Sequence, residues 1–200
     1  MRFGNYYRMI NALEALDQRF LLFVNGRHSD FLDVFMWFVS GPWLVLLLLP
    51  FIFYFIFLAH NKAQLLWILI GVILTVVLTD QLSVHAFKEV FQRYRPSHNL
   101  LLMEKLHLHQ YDDGSIYRGG KYGFVSSHAA NYFGLLTIFW SLISIKWVKF
   151  LLLSITLLVV YSRMYLGVHY FSDIICGCLL GFTLAQIVLH FLLLRKVRRI

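Results

Sequence analysis

The chain has 200 residues, enough for one domain and not comfortably for two. Hydrophobic residues make up 60% of it and charged residues 14%; a soluble domain has roughly 45–50% and about 25%, so the composition argues against a water-soluble globule and for a membrane protein. The net charge of +8 does not point to nucleic acid, because it gathers in the last six residues and between Lys88 and Lys121.

The first nineteen residues carry scattered charges and lack a compact apolar stretch before a small-residue site, so no cleavable signal peptide is expected. Residues 8–26 read as an amphipathic helix with Ile10, Leu13, Leu16, Phe20 and Phe23 on its apolar face and Glu14, Asp17 and Arg19 elsewhere. Asn25-Gly26 with Ser29 marks a turn, residues 30–40 a short apolar helix, and Gly41-Pro42 a break. A first span is expected over 43–59, then a hydrophilic turn at His60, Asn61 and Lys62, then a second span over 64–87. The region 89–127 is the one long polar segment. Further spans are expected over 128–145, 148–162 and 171–194, followed by the basic tail 195–200.

These elements predict an all-α integral membrane bundle of about five to six transmembrane helices in a single domain. Residues 1–42 form an interfacial segment in this reading, 43–194 the membrane core and 195–200 a tail. A basic tail directly after a span reads as cytoplasmic under the positive-inside rule. The chain then sits in the inner membrane with 89–127 and 163–170 on the outer, periplasmic or extracellular, face. The 60–62 and 146–149 turns, which carry lysines, fall inside. The outer segment is basic as well, and a site for anions on that face accounts for the exception. Cys176 and Cys178 lie two apart on one helix, point to different sides and predict no mutual disulfide. Gly177 and Gly181, four apart, predict close helix packing.

Three polar clusters interrupt the apolar chain on the predicted outer face. Lys88 and Arg95 are seven apart and share a face if the helix continues. Ser126-Ser127-His128 opens the third span. Ser162-Arg163 precedes His169 and Asp173, which are one helical turn apart. Lys88, Arg95 and Arg163 supply three cations against a phosphate dianion. Ser126 and Ser127, at a helix N-terminus, suit phosphate oxygens. A neutral His169 can attack phosphorus if Asp173 fixes its tautomer, while His128 protonates the leaving oxygen and later activates water. Each residue alone has a blander reading: interfacial anchors for the cations, a helix-end histidine, a structural His–Asp pair. It is their joint spacing that favours chemistry. His107 and His109 are a poor metal site without further ligands and read as surface histidines. His85, His98 and His190 read as interfacial, and Asp80, within the second span, has no assigned role.

The motifs Lys88-x6-Arg95-Pro96, Ser126-Ser127-His128 and Ser162-Arg163-x5-His169-x3-Asp173 resemble the three-part signature of the type 2 phosphatidic acid phosphatase (PAP2) superfamily. The family's middle motif is Pro-Ser-Gly-His, where this chain has Val125-Ser126-Ser127-His128. Ser127 thus adds a side chain beside the phosphate, which bears on substrate scope more than on the reaction. The resemblance implies a metal-independent phosphatase that needs no cofactor and forms a phosphohistidine intermediate. It implies His169 as nucleophile, His128 as general acid, and Lys88, Arg95, Ser126 and Arg163 as phosphate ligands.

The partner so implied is a lipid phosphate in the bilayer. Undecaprenyl pyrophosphate, phosphatidylglycerol phosphate, phosphatidic acid and lipid A phosphate are the candidates, and the sequence does not choose among them. A lipid-to-lipid phosphotransferase and a non-catalytic phosphate-binding membrane protein are the alternatives. The His169–Asp173 pair argues against the second, because binding alone needs no nucleophile.

Overall fold

A computed structural model describes residues 2–197. Seven helices carry the fold: α1 (Arg2–Asn25), α2 (Asp30–Ser40), α3 (Pro42–Ala59), α4 (Lys62–Phe91), α5 (Ser127–Leu142), α6 (Lys146–Tyr165) and α7 (Phe171–Lys196). Among the described residues β pairing is confined to two isolated bridges, Tyr94 with Tyr122 and Gln110 with Ile116. Helices α3, α4, α6 and α7 are long and apolar enough to cross a membrane. The fifth expected span is the shorter α5, 16 residues or about 24 Å of helix, which packs between α4, α6 and α7.

Local sequence sets most boundaries. Pro42 opens α3, where a missing N–H costs nothing. Asn61 caps α4: its Oδ1 accepts from the Gln64 N–H at 3.0 Å, and Gln64 Oε1 accepts from the Asn61 N–H at 3.1 Å. His60, in the hydrophilic turn expected at 60–62, is buried, with Nδ1 3.1 Å from the Ile56 carbonyl. Helix α4 widens into a π-helical stretch over Leu82–Lys88 and stops at Phe91, because Gln92 adopts a left-handed φ of 48°. The expected helical register between Lys88 and Arg95 therefore does not exist.

The tightest packing is between α5 and α7. A Cβ at Gly177 would lie 2.5 Å from the Ser126 carbonyl oxygen, and one at Gly181 would lie 2.1 Å from that of Ala130. Only glycine lets the two backbones approach so closely. One apolar cluster, including Ile56, Ile68, Ile138, Val148 and Leu193, fills one end of the bundle. Another, including Leu21, Met36, Met164, Tyr165 and Tyr170, underlies the other end.

Helix α1 carries its polarity as a bilayer requires. Leu13, Leu16, Phe20 and Phe23 are exposed, while Asp17, Leu21 and Val24 are buried. With lipid as solvent an apolar face can point outward and a carboxylate inward. The turn after α1 is fastened by Asn25, whose Nδ2 donates to the carbonyls of His107 and Tyr165, both at 2.7 Å. His107 also meets Asp33 at 2.9 Å, and His109 stacks on Trp37 with ring centroids 3.8 Å apart. The two loop histidines thus join α2 to the 89–127 segment rather than standing free at the surface. Both cysteines are free thiols. Of the basic tail, Arg195 and Lys196 end α7, and Arg198, Arg199 and Ile200 lie outside the described residues.

Candidate active site

The three polar clusters meet where α4, α5, α6 and α7 end or begin at one end of the bundle. Lys88 closes the π-helical stretch of α4, and its Nζ donates to Ser127 Oγ, which also contacts Ser83 Oγ at 2.6 Å. Ser126, fully buried, is the N-cap of α5 and accepts from the Ala129 N–H at 3.4 Å. Its hydroxyl thus serves the helix start, and Ser127 is the serine that faces Lys88. His128 follows, close to the Ser40 backbone at the end of α2.

Arg95 reaches the site through loop pairing instead of a helix. The Arg95 N–H donates to the Lys121 carbonyl at 3.1 Å and the Gly123 N–H to the Arg93 carbonyl at 2.8 Å, on either side of the Tyr94–Tyr122 bridge. Gly119, at φ 65°, covers the guanidinium so closely that a Cβ there would lie 2.9 Å from Arg95 Nη1. The Arg95 Nε–H donates to the Tyr122 carbonyl at 3.2 Å.

A Schellman turn connects Arg163 to His169. The Val168 N–H donates to the Arg163 carbonyl at 3.1 Å and the Gly167 N–H to the Met164 carbonyl at 2.9 Å, with Gly167 at φ 69°. Arg163 is 2% exposed. Its Nη1 donates to Ser40 Oγ and its Nη2 to Tyr117 Oη, the latter at 3.0 Å. Its Nε–H is buried with no acceptor among the described residues, a donor that costs free energy unless an anion arrives.

His169 is 1% exposed and lies between opposite neighbours. Its Nδ1 is 3.4 Å from Asp173 Oδ2, and its Nε2 is 3.0 Å from Arg95 Nη1. A guanidinium can only donate. Nε2 is therefore the acceptor and its lone pair faces the cations; the proton sits on Nδ1, which lies within ion-pair distance of Asp173 Oδ2 but completes no hydrogen bond among the described residues. Burial, and then the charges of Arg95, Arg163 and Lys88, hold the imidazole well below its ordinary pKa, so it is neutral. Burial, and then Arg163, bring Arg95 down to about 10, which leaves it cationic at neutral pH.

All eight residues singled out in the sequence fall in this region, with Ser126 turned into the helix cap. Four neighbours escaped the sequence reading. Ser40 and Tyr117 hold Arg163, and Arg93 holds Asp173 while Asp17 holds Arg93. Ser40 and Arg163 are 123 residues apart, and no local pattern signals such a pair. Asp80, half-buried on α4, has its carbonyl accepting from Ser83 Oγ at 2.8 Å, and its negative charge acts on Lys88.

Three cations around a buried neutral imidazole make an arrangement suited to an anion such as a phosphate. The sequence profile of the PAP2 superfamily matches residues 64–196. The chain belongs to the PAP2 superfamily. It is an integral membrane phosphatase. The lipid A 4'-phosphatase of Porphyromonas gingivalis is 35% identical over 174 residues, covering 86% of this chain and 71% of that protein. The lipid A 4'-phosphatase of Bacteroides thetaiotaomicron is 30% identical over 178 residues, covering 86% and 75%. Among solved PAP2 structures, the transmembrane phosphatidylglycerolphosphate phosphatase of Bacillus subtilis superposes with a TM-score of 0.66 at 22% identity, covering 94% of this chain and 89% of that one. The LpxE protein of Aquifex aeolicus superposes with a TM-score of 0.58 at 23% identity, covering 86% and 94%. These last two likenesses establish the fold.

Proposed function

We propose that this membrane lipid phosphatase removes the 4'-phosphate of lipid A through a phosphohistidine intermediate. Two relatives at 35% and 30% identity carry that activity in their names, which favours lipid A among the candidate lipid phosphates. The observation that carries the mechanism is the placement of His169, with Nδ1 against Asp173 and Nε2 at 3.0 Å from Arg95.

In the reaction, the phosphate monoester enters among Lys88, Arg95 and Arg163. Arg95 leaves Nε2 for a phosphate oxygen, and the unpartnered Nε–H of Arg163 takes another. Nε2 of His169 attacks phosphorus, and Asp173 stabilises the positive charge that develops on the ring. His128 protonates the departing sugar oxygen, the P–O bond breaks, and phosphate remains on His169. His128 then takes a proton from water, which attacks phosphorus and releases inorganic phosphate. The three cations neutralise the charge on the equatorial oxygens, the part a metal plays elsewhere. In this reading the site lies on the outer face of the inner membrane, the C-terminal tail is cytoplasmic, and 1–200 acts as one domain.

The test is phosphate release by purified protein from lipid A, phosphatidylglycerol phosphate, phosphatidic acid and undecaprenyl pyrophosphate, each with and without EDTA. The expected result is preferential release from lipid A, unchanged by EDTA. Preference for a glycerolipid overturns the substrate assignment. Activity abolished by EDTA and restored by a divalent metal overturns the mechanism.

A further inference from the structure

The far side of Asp173 is held by residues that the reaction above does not use. Asp173 Oδ2 accepts from the Tyr170 N–H at 3.0 Å and faces His169, while Oδ1 accepts from Arg93 Nη1 at 2.8 Å. Arg93 Nη2 in turn donates to Asp17 Oδ2, also at 2.8 Å. Asp17 belongs to α1, where it is buried. It accepts from the Ser172 N–H at 2.9 Å and from the Ser172 hydroxyl, and that hydroxyl also accepts from Arg93 Nη1 at 2.7 Å. The guanidinium lies 4.2 Å from the centre of the Tyr170 ring. Two carboxylates, one guanidinium and one hydroxyl thus form a closed set at the first turn of α7, where the helix dipole also favours negative charge.

We propose that Arg93 and Asp17 are positioning residues for hydrolysis, through an ion-pair chain Asp17–Arg93–Asp173 that makes α1 part of the catalytic apparatus. The proposal rests on the reading of His169 and Asp173 given above. Two physical consequences support it. Asp173 is fully buried, and a buried carboxylate with one oxygen unpaired either rotates or takes a proton. Either change deprives His169 of its orienting anion. In addition, Arg93 neutralises Asp173 from behind. Without it Arg95, which already senses the Asp173 charge and contacts His169, would be drawn to the carboxylate and lost to the substrate. Arg93 therefore keeps the two halves of the site apart: its charge serves the carboxylate, and Lys88, Arg95 and Arg163 serve the phosphate. Asp17 makes this possible by gripping the guanidinium and Ser172 together, which fixes Arg93 against α7 from a helix more than seventy residues away in sequence.

The experiment is a double-mutant cycle in purified full-length protein with Arg93→Gln, Asp17→Asn and their combination, alongside Arg93→Lys and Asp173→Asn. Arg93→Gln is expected to lower kcat by about ten- to a thousandfold, less than the about 10⁴-fold loss known when an orienting aspartate is itself replaced. KM and vanadate affinity should stay within about twofold, since no group that touches phosphate is removed. Asp17→Asn should cost about tenfold alone and nothing further once Arg93 is gone, because the two act through one path. Arg93→Lys should recover part of the loss. If Arg93→Gln and Asp17→Asn keep full turnover while Asp173→Asn is impaired, the positioning role fails and the site reading stands. If Asp173→Asn itself is fully active, the site reading fails. Additive losses in which kcat and vanadate-binding capacity fall together with thermal stability would reduce Arg93 and Asp17 to holding α1 in place, and would also overturn the proposal.

Discussion

The two ends of this bundle are built on opposite principles. At one end Ile56, Ile68, Ile138, Val148 and Leu193 fill the interior with close-packed hydrocarbon. At the other Arg95, Arg163, His169 and Asp173 are just as buried, yet they are held by directional contacts and carry more positive than negative charge. The first arrangement is a minimum in itself. The second leaves the Arg163 Nε–H without an acceptor among the described residues, as a site that awaits an anion would. A buried cation without its anion costs free energy, so the polar end sacrifices stability to be ready for substrate, and the apolar end supplies what is sacrificed.

If that division holds, substitutions at the polar end should act on turnover and substitutions between the close-packed helices on stability. The largest effect is expected at His169. His169→Ala should abolish lipid turnover while the protein unfolds at or above the wild-type temperature in detergent, because an unfavourably placed polar group has been removed. A loss of activity matched by a loss of folded protein would erase the distinction between the two ends. Next comes His128→Ala. It should lower turnover of a lipid phosphate by about a hundred- to ten-thousandfold, and much less for an aryl phosphate, whose leaving group needs little protonation. Equal losses on both substrates would show that His128 is not the acid.

The third sits on the packing side. Gly181→Val puts a side chain where a Cβ alone would be 2.1 Å from the Ala130 carbonyl. Backbone cannot step aside as a flexible side chain can, so destabilisation should reach or exceed about 3 kcal/mol, the upper end of the usual overpacking cost. Thermal unfolding would measure it, and a wild-type melting temperature would refute the close approach of α5 and α7. The smallest effect is expected at His85. It pairs with Glu89 at 2.9 Å, but both side chains are 60% exposed. His85→Gln should change stability by less than about 1 kcal/mol, as surface pairs do, and leave kcat unaltered.

Much of this was legible in the sequence, for reasons that differ by element. The spans were visible because lipid demands long uncharged runs, and the N-cap at Asn61 with Gln64 is a purely local signal. His169 and Asp173 were visible because one helical turn separates them. The approach of Arg95 was not. Counting seven residues from Lys88 presumed a helix that Gln92 ends with its left-handed φ, and the real support for Arg95 comes from the 121–123 segment across the loop. Ser126, read as a phosphate ligand, also caps α5, which the Ser-Ser-His pattern did not separate from ligation. Asp17 looked like the polar side of a surface helix and is buried against α7. A hydrophobic face in a membrane protein says which side meets lipid, and only the fold says which distant carboxylate fills the other side.

The central claim is that His169, and no other residue, bonds phosphorus. The measurement is to quench the enzyme during turnover of a phosphate-labelled lipid, digest it under alkaline conditions that preserve phosphohistidine, and locate the phosphate by tandem mass spectrometry. The account predicts acid-labile phosphate on His169 of the wild type, more of it in His128→Ala with a reactive aryl phosphate, where hydrolysis of the phosphoenzyme by water is slowed but its formation is not, and none in His169→Ala. Phosphate on His128, or continued turnover by His169→Ala with no phosphoenzyme, would contradict it.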